Sequence, residues 1–204
     1  MANVLVIGKG AREHAIIHRL VQSLNVTHLY TVNNSYFKLP YQSTDTPGYD
    51  KITNLEYKLE EDQENGFNDE IDDYLKIALN PELAINFVLV GPENYLANGI
   101  KDLCDKHNIP CFGPTQSQAK IESSKIYSKD IMQTLGLPTA DYRSFTHLDK
   151  ALTFYRENFV ASVGYNVIKE DGLAGGKGVL VSSSIEKGEE FITQYFTKHC
   201  SSGS

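Results

Sequence analysis

The chain has 204 residues, 41% of them hydrophobic, with a net charge of −7 and three cysteines, Cys104, Cys111 and Cys200. That length is enough for one large domain or two small ones with packed cores, and the acidic balance excludes holding a nucleic-acid backbone as the main task. No apolar run approaches a membrane span, no targeting signal precedes the first strand, and the cysteines follow no metal-ligand spacing; a cytoplasmic protein with reduced thiols, and neither nucleic-acid nor membrane partners, is expected.

Asn3 to Ile7 is a β-branched run ending at Gly8 and predicts a buried parallel strand. Ile16, Ile17, Leu20, Val21 and Leu24 then recur at helical spacing, and His28 to Val32 predicts a second strand. Between Glu56 and Asp73 stand nine carboxylates and one lysine. Their spacing follows no ligand pattern, so a solvated helix or loop is expected. Phe87 to Val90 predicts another buried strand, closed by Gly91-Pro92-Glu93. A helix around Ile100 to His107 leads to a short strand at Ile109 to Phe112, closed by Gly113-Pro114. Strands alternating with helices predict an α/β fold, an open Rossmann-like parallel sheet with ligands at the C-terminal ends of its strands.

Past Pro114 the pattern changes. Gln116 to Leu135 reads as a helical stretch ended by Gly136 and Pro138, and Leu148 to Asn158 as a second helix. Tyr165 to Lys169 and Val179 to Val181 read as strands flanking a glycine-rich connection. The expected division is a sheet domain over 1–114 and an α+β unit over 115–204. The tail from Ser201 to Ser204 adds no closing element.

Three places could carry chemistry. Gly8-Lys9-Gly10-Ala11-Arg12-Glu13-His14 sits between a strand and a helix, where glycines let the chain turn and the helix start offers N–H groups to an anion. Glu13 replaces the third glycine of a dinucleotide fingerprint, and no acid closes the second strand to hold a ribose. A nicotinamide cofactor, and hence an oxidoreductase, is disfavoured. A phosphate on a smaller ligand fits better, with Arg12 as a clamp, and a plain structural turn fits equally well. Gly91-Pro92-Glu93 either lines that same crevice or merely starts a helix. The third place is Lys125 and Lys169 with Asp171-Gly172-Leu173-Ala174-Gly175-Gly176-Lys177-Gly178. A strand follows it and no Ser or Thr follows Lys177, so it is not a Walker A loop. It reads as a flap that folds over a polyphosphate, or as an ordinary surface hairpin.

In order, these motifs resemble the phosphoribosylamine–glycine ligase family of ATP-grasp enzymes. Val4 to His14 is similar to its first strand and loop, and Gly91-Pro92-Glu93 with Leu96 and Gly99 to its second loop. Phe112-Gly113-Pro114, Glu122-Ser123-Ser124-Lys125 and Leu137-Pro138-Thr139-Ala140 follow, and Val167 to Val179 is the most specific block.

The resemblance implies a sheet domain that precedes an incomplete ATP-grasp lobe. It implies phosphoribosylamine binding by Gly8, Gly10, Ala11, Arg12, Glu13, Asn34, Gly91, Pro92 and Glu93. It implies ATP binding by Lys125, Lys169, Gly172, Gly175, Gly176, Lys177 and Gly178. The implied reaction of purine synthesis phosphorylates glycine with ATP, and the amine of phosphoribosylamine then displaces phosphate. Lysines, flap amides and Mg2+ would offset the transferring charge. Three departures stand out: Val32-Asn33-Asn34 replaces the family's Pro-Gly-Asn turn, the acidic stretch has little counterpart, and Glu170 and Gly175 occupy alanine positions. The magnesium ligands and the glycine side are expected beyond this stretch of the family's chain. These residues alone are therefore expected to hold no metal and to be inactive, as part of a longer and in some cases multifunctional polypeptide. The rival readings are another ATP-grasp ligase or carboxylase, and a non-catalytic nucleotide- or phosphate-binding module.

Overall fold

Five parallel strands in the order β3-β2-β1-β4-β5 build the first part of the molecule. They are β1 (Ala2–Ile7), β2 (Val26–Val32), β3 (Ile52–Leu55), β4 (Phe87–Val90) and β5 (Cys111–Phe112). The computed structural model describes residues 1–35, 47–57, 68–159 and 166–200, which fall into two units, 1–120 and 121–204.

In β1 the period-two alternation of side chains feeds both faces of the sheet. Val4 and Val6 join Ile17, Val21, Val26 and Leu29 in the layer beneath α1 (Ala11–Leu20). Leu5 and Ile7 point the other way, into a larger layer with Val88 and Val90. That layer is covered by α2 (Asn68–Ala78), α3 (Glu93–Ala97) and α4 (Ile100–Lys106). Burial on both faces is why these strands are near-continuous apolar runs. The chain leaves β1 toward β2 on one side and returns through β4 on the other, so the strand order reverses between β1 and β4. Their C-terminal ends open the crevice where such sheets place ligands.

The open parallel sheet is as expected, but several elements differ from the sequence reading. Leu24 falls beyond the end of α1 and is exposed, because Ser23 turns the chain into β2. The edge strand β3 and the 3-10 turn before it, Tyr49–Lys51, were not anticipated. The acidic stretch is not wholly solvated. Its last part belongs to α2, which buries Ile71, Tyr74, Ile77 and Ala78, and even Asp73 is buried. The apolar stripe was hidden by the carboxylates between its members. Residues 58–67 of that stretch lie outside the described ones.

The expected single helix over 116–135 is two, α5 (Gln116–Ser123) and α6 (Lys125–Thr134). Ser124 breaks them by taking extended dihedrals and capping α6, its Oγ accepting from Tyr127 N–H at 3.1 Å. In the second unit, α7 (Leu148–Asn158) packs with α8 (Ile185–Cys200), a helix the sequence reading lacked. Ala151, Tyr155 and Ile192 centre its small core, with Ile168 from an antiparallel hairpin packed against them. The hairpin strands are β6 (Asn166–Lys169) and β7 (Val179–Ser182), paired Val167 to Val181 and Lys169 to Val179. Tyr165, predicted to open β6, lies outside the described residues.

Candidate functional site

In the first unit the loops after β1 and β4 meet at the reversal of strand order. Gly91 N–H donates to the Ile7 carbonyl at 3.0 Å, which carries the β1–β4 ladder into both loops. Glu13, one turn into α1, is buried between them. Its Oε2 accepts from Gly10 N–H at 2.7 Å, closing the helix start on itself. A Cβ on Gly91 would stand 2.1 Å from Glu13 Oε1, and one on Gly8 would stand 2.6 Å from Glu13 Cγ and 2.7 Å from Pro92 Cδ. Gly8 also has φ of +121°. The two loops are therefore glycine-rich because a glutamate occupies the space between them.

Arg12, expected as a phosphate clamp, engages carboxylates in this structure. Its Nη2 donates to Glu93 Oε2 at 3.0 Å, and its Nε lies 3.8 Å from Glu13 Oε1. The Glu93 backbone N–H at the start of α3, and then Arg12, hold the Glu93 carboxyl below the usual carboxylate range. Gly8, Gly10, Ala11, Arg12, Glu13, Gly91, Pro92 and Glu93 thus form one cluster across the β1 and β4 loops.

Asn34 stands apart at the end of β2 and is fully buried. Its N–H donates to Asn54 Oδ1, and its carbonyl accepts from Asn54 Nδ2, both at 3.1 Å. Asn33 before it takes φ of +47°, the left-handed conformation a glycine would supply. Its amide pairs with the backbone of Tyr57 like an added strand residue, at 2.6 and 3.1 Å.

Sequence reasoning missed a polar cluster beside this crevice. Tyr95 Oη donates to Glu70 across α3 and α2, and Tyr74 stacks edge-on against Tyr95 with centroids 5.4 Å apart. Burial, then Glu70, raises Tyr74 to about 12, and burial with the Glu70 hydrogen bond raises Tyr95 further. The only sequence signal was the place of Tyr95 two residues after Glu93.

In the second unit the glycine-rich connection is a closed hairpin end. Glu170 N–H donates to Gly178 carbonyl at 2.8 Å, and Lys177 N–H to Ala174 carbonyl at 2.9 Å. Gly175 and Gly176, at φ of +54° and +78°, form the two-residue turn inside that bond, and Gly172 is also left-handed at +98°. Gly178 is buried, and a Cβ there would meet Ala174 Cβ at 2.6 Å. Lys169 and Lys177 are exposed.

Asp171, whose part is not evident from the glycine-rich pattern, organises the base of this flap. Its Oδ1 accepts from the N–H groups of Lys125 at 2.6 Å and Ile126 at 3.1 Å, the first turn of α6. Ser124 Oγ donates to the same carboxylate, 3.0 Å from Oδ2. In return Lys125 Nζ donates to the Gly172 carbonyl at 2.7 Å. Lys125 and the flap are therefore joined at both ends, with Lys169 three residues before Gly172 on β6. Three lysines, two of them exposed, stand on and beside this one loop, a concentration of positive charge that suits an anion. Among the described residues, no group of three or more His, Cys, Asp or Glu side chains could hold a metal ion. No described helix is long and apolar enough to cross a membrane.

Comparison with known proteins covers both units. Residues 2–122 match the family model described as phosphoribosylglycinamide synthetase, N domain, and residues 123–204 match that of its ATP-grasp (A) domain. A phosphoribosylamine–glycine ligase of Vibrio vulnificus is 37% identical over 191 residues, covering 93% of this chain and 39% of the relative. A trifunctional purine biosynthetic protein adenosine-3 of Drosophila pseudoobscura pseudoobscura is 38% identical over 186 residues, covering 91% of this chain and 12% of the relative. Among solved structures, a biotin carboxylase complex from Campylobacter jejuni aligns with a TM-score of 0.65 at 19% identity, over 97% of this chain and 42% of that one. That likeness concerns the fold.

Proposed function

This chain belongs to the phosphoribosylglycinamide synthetase family, and on that premise we propose that it is the substrate- and nucleotide-binding part of a ligase joining glycine to 5-phosphoribosylamine at the expense of ATP. The β1 and β4 loops, with Asn34 behind β2, form the phosphoribosylamine side. The flap with Lys125, Lys169 and Lys177 takes the ATP phosphates. ATP converts the glycine carboxylate to an acyl phosphate, and the amine nitrogen displaces phosphate. The domain division of this reading, 1–114 for substrate and 115–204 for ATP, follows from the order of the motifs. A cytoplasmic setting suits purine synthesis, and a multifunctional polypeptide suits the insect relatives.

The observation that supports the nucleotide half is the double tie of Lys125, through its N–H to Asp171 and its Nζ to the Gly172 carbonyl, which sets a lysine and a glycine-rich flap against each other. Magnesium, when bound, would offset charge on the transferring phosphoryl group, and its ligands are assigned to the longer protein. Because the chain spans 39% of the bacterial relative, turnover is assigned to the longer protein. The test is a ligase assay with ATP, magnesium, glycine and fresh phosphoribosylamine, on these 204 residues and on their longer parent. Turnover by the parent alone is expected. Turnover by the 204 residues would sink the division of labour, and silence in both would favour a non-catalytic phosphate-binding module.

A further inference from the structure

The carboxylate of Asp171 does more than cap α6. That helix already has a cap of its own in Ser124, whose Oγ accepts from Tyr127 N–H. Asp171 comes from 46 residues beyond Lys125 and takes the two N–H groups that Ser124 leaves, those of Lys125 and Ile126. With these amides engaged, α6 offers a phosphate its lysine and not its helix start. The next residue, Gly172, closes a second bond in the opposite sense, its carbonyl accepting from Lys125 Nζ at 2.7 Å. A Cβ at Gly172 would meet nothing within 4 Å, so glycine answers there to the left-handed backbone, at φ of +98°, and not to space. Two adjacent residues of the flap thus hold both the backbone and the ammonium of one lysine.

On the reading that the flap takes the ATP phosphates, we propose that Asp171 is a positioning residue for ATP, acting through Lys125. A lysine side chain is long and rotamer-rich, and fixing it on a ligand costs binding free energy. Here that ordering precedes the ligand. Asp171 fixes the first turn of α6, and Gly172 fixes the end of the side chain that leaves it. An ammonium donates in several directions, so Lys125 can reach a phosphate oxygen while still bonded to the flap. The charge on Asp171 is itself unfavourable beside a polyphosphate, and two N–H groups with the Ser124 hydroxyl offset it. Residue 171 therefore supplies acceptor geometry to the site and not negative charge. Asparagine separates the two, because it keeps an acceptor oxygen and removes the charge.

The test is calorimetric titration of the longer parent and its variants with ATP. Asp171→Ala is expected to weaken binding about tenfold, and Asp171→Asn to stay within about threefold of wild type. In a Lys125→Ala background, Asp171→Ala should cost almost nothing further, because the residue it positions is gone. A merely structural loss would add in full. Wild-type affinity in Asp171→Ala, an undiminished loss in the Lys125→Ala background, or Asp171→Asn no better than Asp171→Ala overturns the proposal. Lys169→Ala tells its failure from that of the flap reading, since the Lys169 side chain takes no part in the tie. Weakened binding in Lys169→Ala with Asp171→Ala unaffected sinks the positioning role alone. No binding of ATP by the wild-type parent sinks both. Where Asp171→Ala fails to fold, Gly172→Ala reads the other bond of the tie, with a loss of about tenfold that again depends on Lys125. Wild-type affinity in Gly172→Ala then overturns the proposal.

Discussion

Glu13 and Gly91 are complementary in shape, the glutamate carboxylate filling the volume that any side chain at residue 91 would need. Gly91→Ala would set a Cβ 2.1 Å from Glu13 Oε1 and force a buried carboxylate out of its seat. Overpacking of this kind costs roughly 1–3 kcal/mol. The expected result is a lower urea midpoint for the first unit. In Glu13→Ala combined with Gly91→Ala, the alanine penalty at residue 91 should shrink by more than half. Fully additive losses would show that the two residues do not share that space.

Asp171 holds the first turn of α6 from another part of the chain, so its loss should be felt at both ends of the tie. Asp171→Ala removes acceptors for the Lys125 and Ile126 N–H groups and the partner of Ser124 Oγ. A lost helix cap costs about 1 kcal/mol, or roughly fivefold in a local opening equilibrium. Hydrogen exchange should therefore quicken by about that factor at residues 125–128 and through the flap at 170–178. Unchanged protection in both segments would mean that the tie carries no weight.

The parallel sheet was legible because strands buried on both faces are written as apolar runs, as in Val4 to Ile7 and Phe87 to Val90. The helix α2 was not, because Asp72, Asp73 and Lys76 stand among Ile71, Tyr74, Leu75 and Ile77, and local charge masked the stripe. The break at Ser124 was missed because its cap is completed from residue 171, far along the chain. Glycines at 8, 10, 91, 175 and 176 could be seen as loop formers. That Glu13 occupies the space between the first three could not, since only the meeting of two loops creates it. Arg12 was legible as a charge near a helix start, but not its partner Glu93, 81 residues away.

Among the three flap lysines, Lys125 is the one already tied to the flap, at Gly172, while Lys169 and Lys177 are exposed. On the proposed function, Lys125→Ala and Lys169→Ala should each weaken ATP binding by the parent about 10- to 100-fold, the scale of a charge-assisted hydrogen bond. Calorimetric titration with ATP gives the values. Lys177→Ala should cost the same if Lys177 meets phosphate, and almost nothing if it only closes the turn. Wild-type affinity in both Lys125→Ala and Lys169→Ala would remove the flap from the nucleotide site.

Tyr74 makes the first unit sensitive to alkali. Its phenol is raised to about 12 by burial and Glu70, against roughly 10 in an unfolded chain. A group raised on folding contributes fully below its unfolded value, and that contribution is lost as pH climbs through the folded one. Stability should therefore fall between about pH 10 and 12, by an amount on the order of 2–3 kcal/mol for this residue. Tyr95 is raised as well, so Tyr74→Phe should make the decline shallower without abolishing it. Urea midpoints measured across that range test this, and an equally steep decline in Tyr74→Phe would place the sensitivity elsewhere.

Gly188 and Tyr155 set the fit of α8 on α7. A Cβ on Gly188 would lie 2.1 Å from Tyr155 Oη, 2.3 Å from Cζ and 2.5 Å from Cε1. Gly188→Ala must therefore push the helices apart or turn the ring, at a cost of roughly 1–3 kcal/mol that outweighs the gain in helix propensity. Among the described residues the buried Tyr155 hydroxyl oxygen has no hydrogen-bond partner, so removing it relieves an unsatisfied polar group. Tyr155→Phe alone should be neutral or stabilising by up to about 1 kcal/mol. Combined with Gly188→Ala it should give only partial rescue, because the ring carbons still occupy the notch. Thermal unfolding of the four forms separates these effects. Marked destabilisation by Tyr155→Phe alone would show that the hydroxyl has a partner, and full rescue in the double variant would show that the ring itself leaves room.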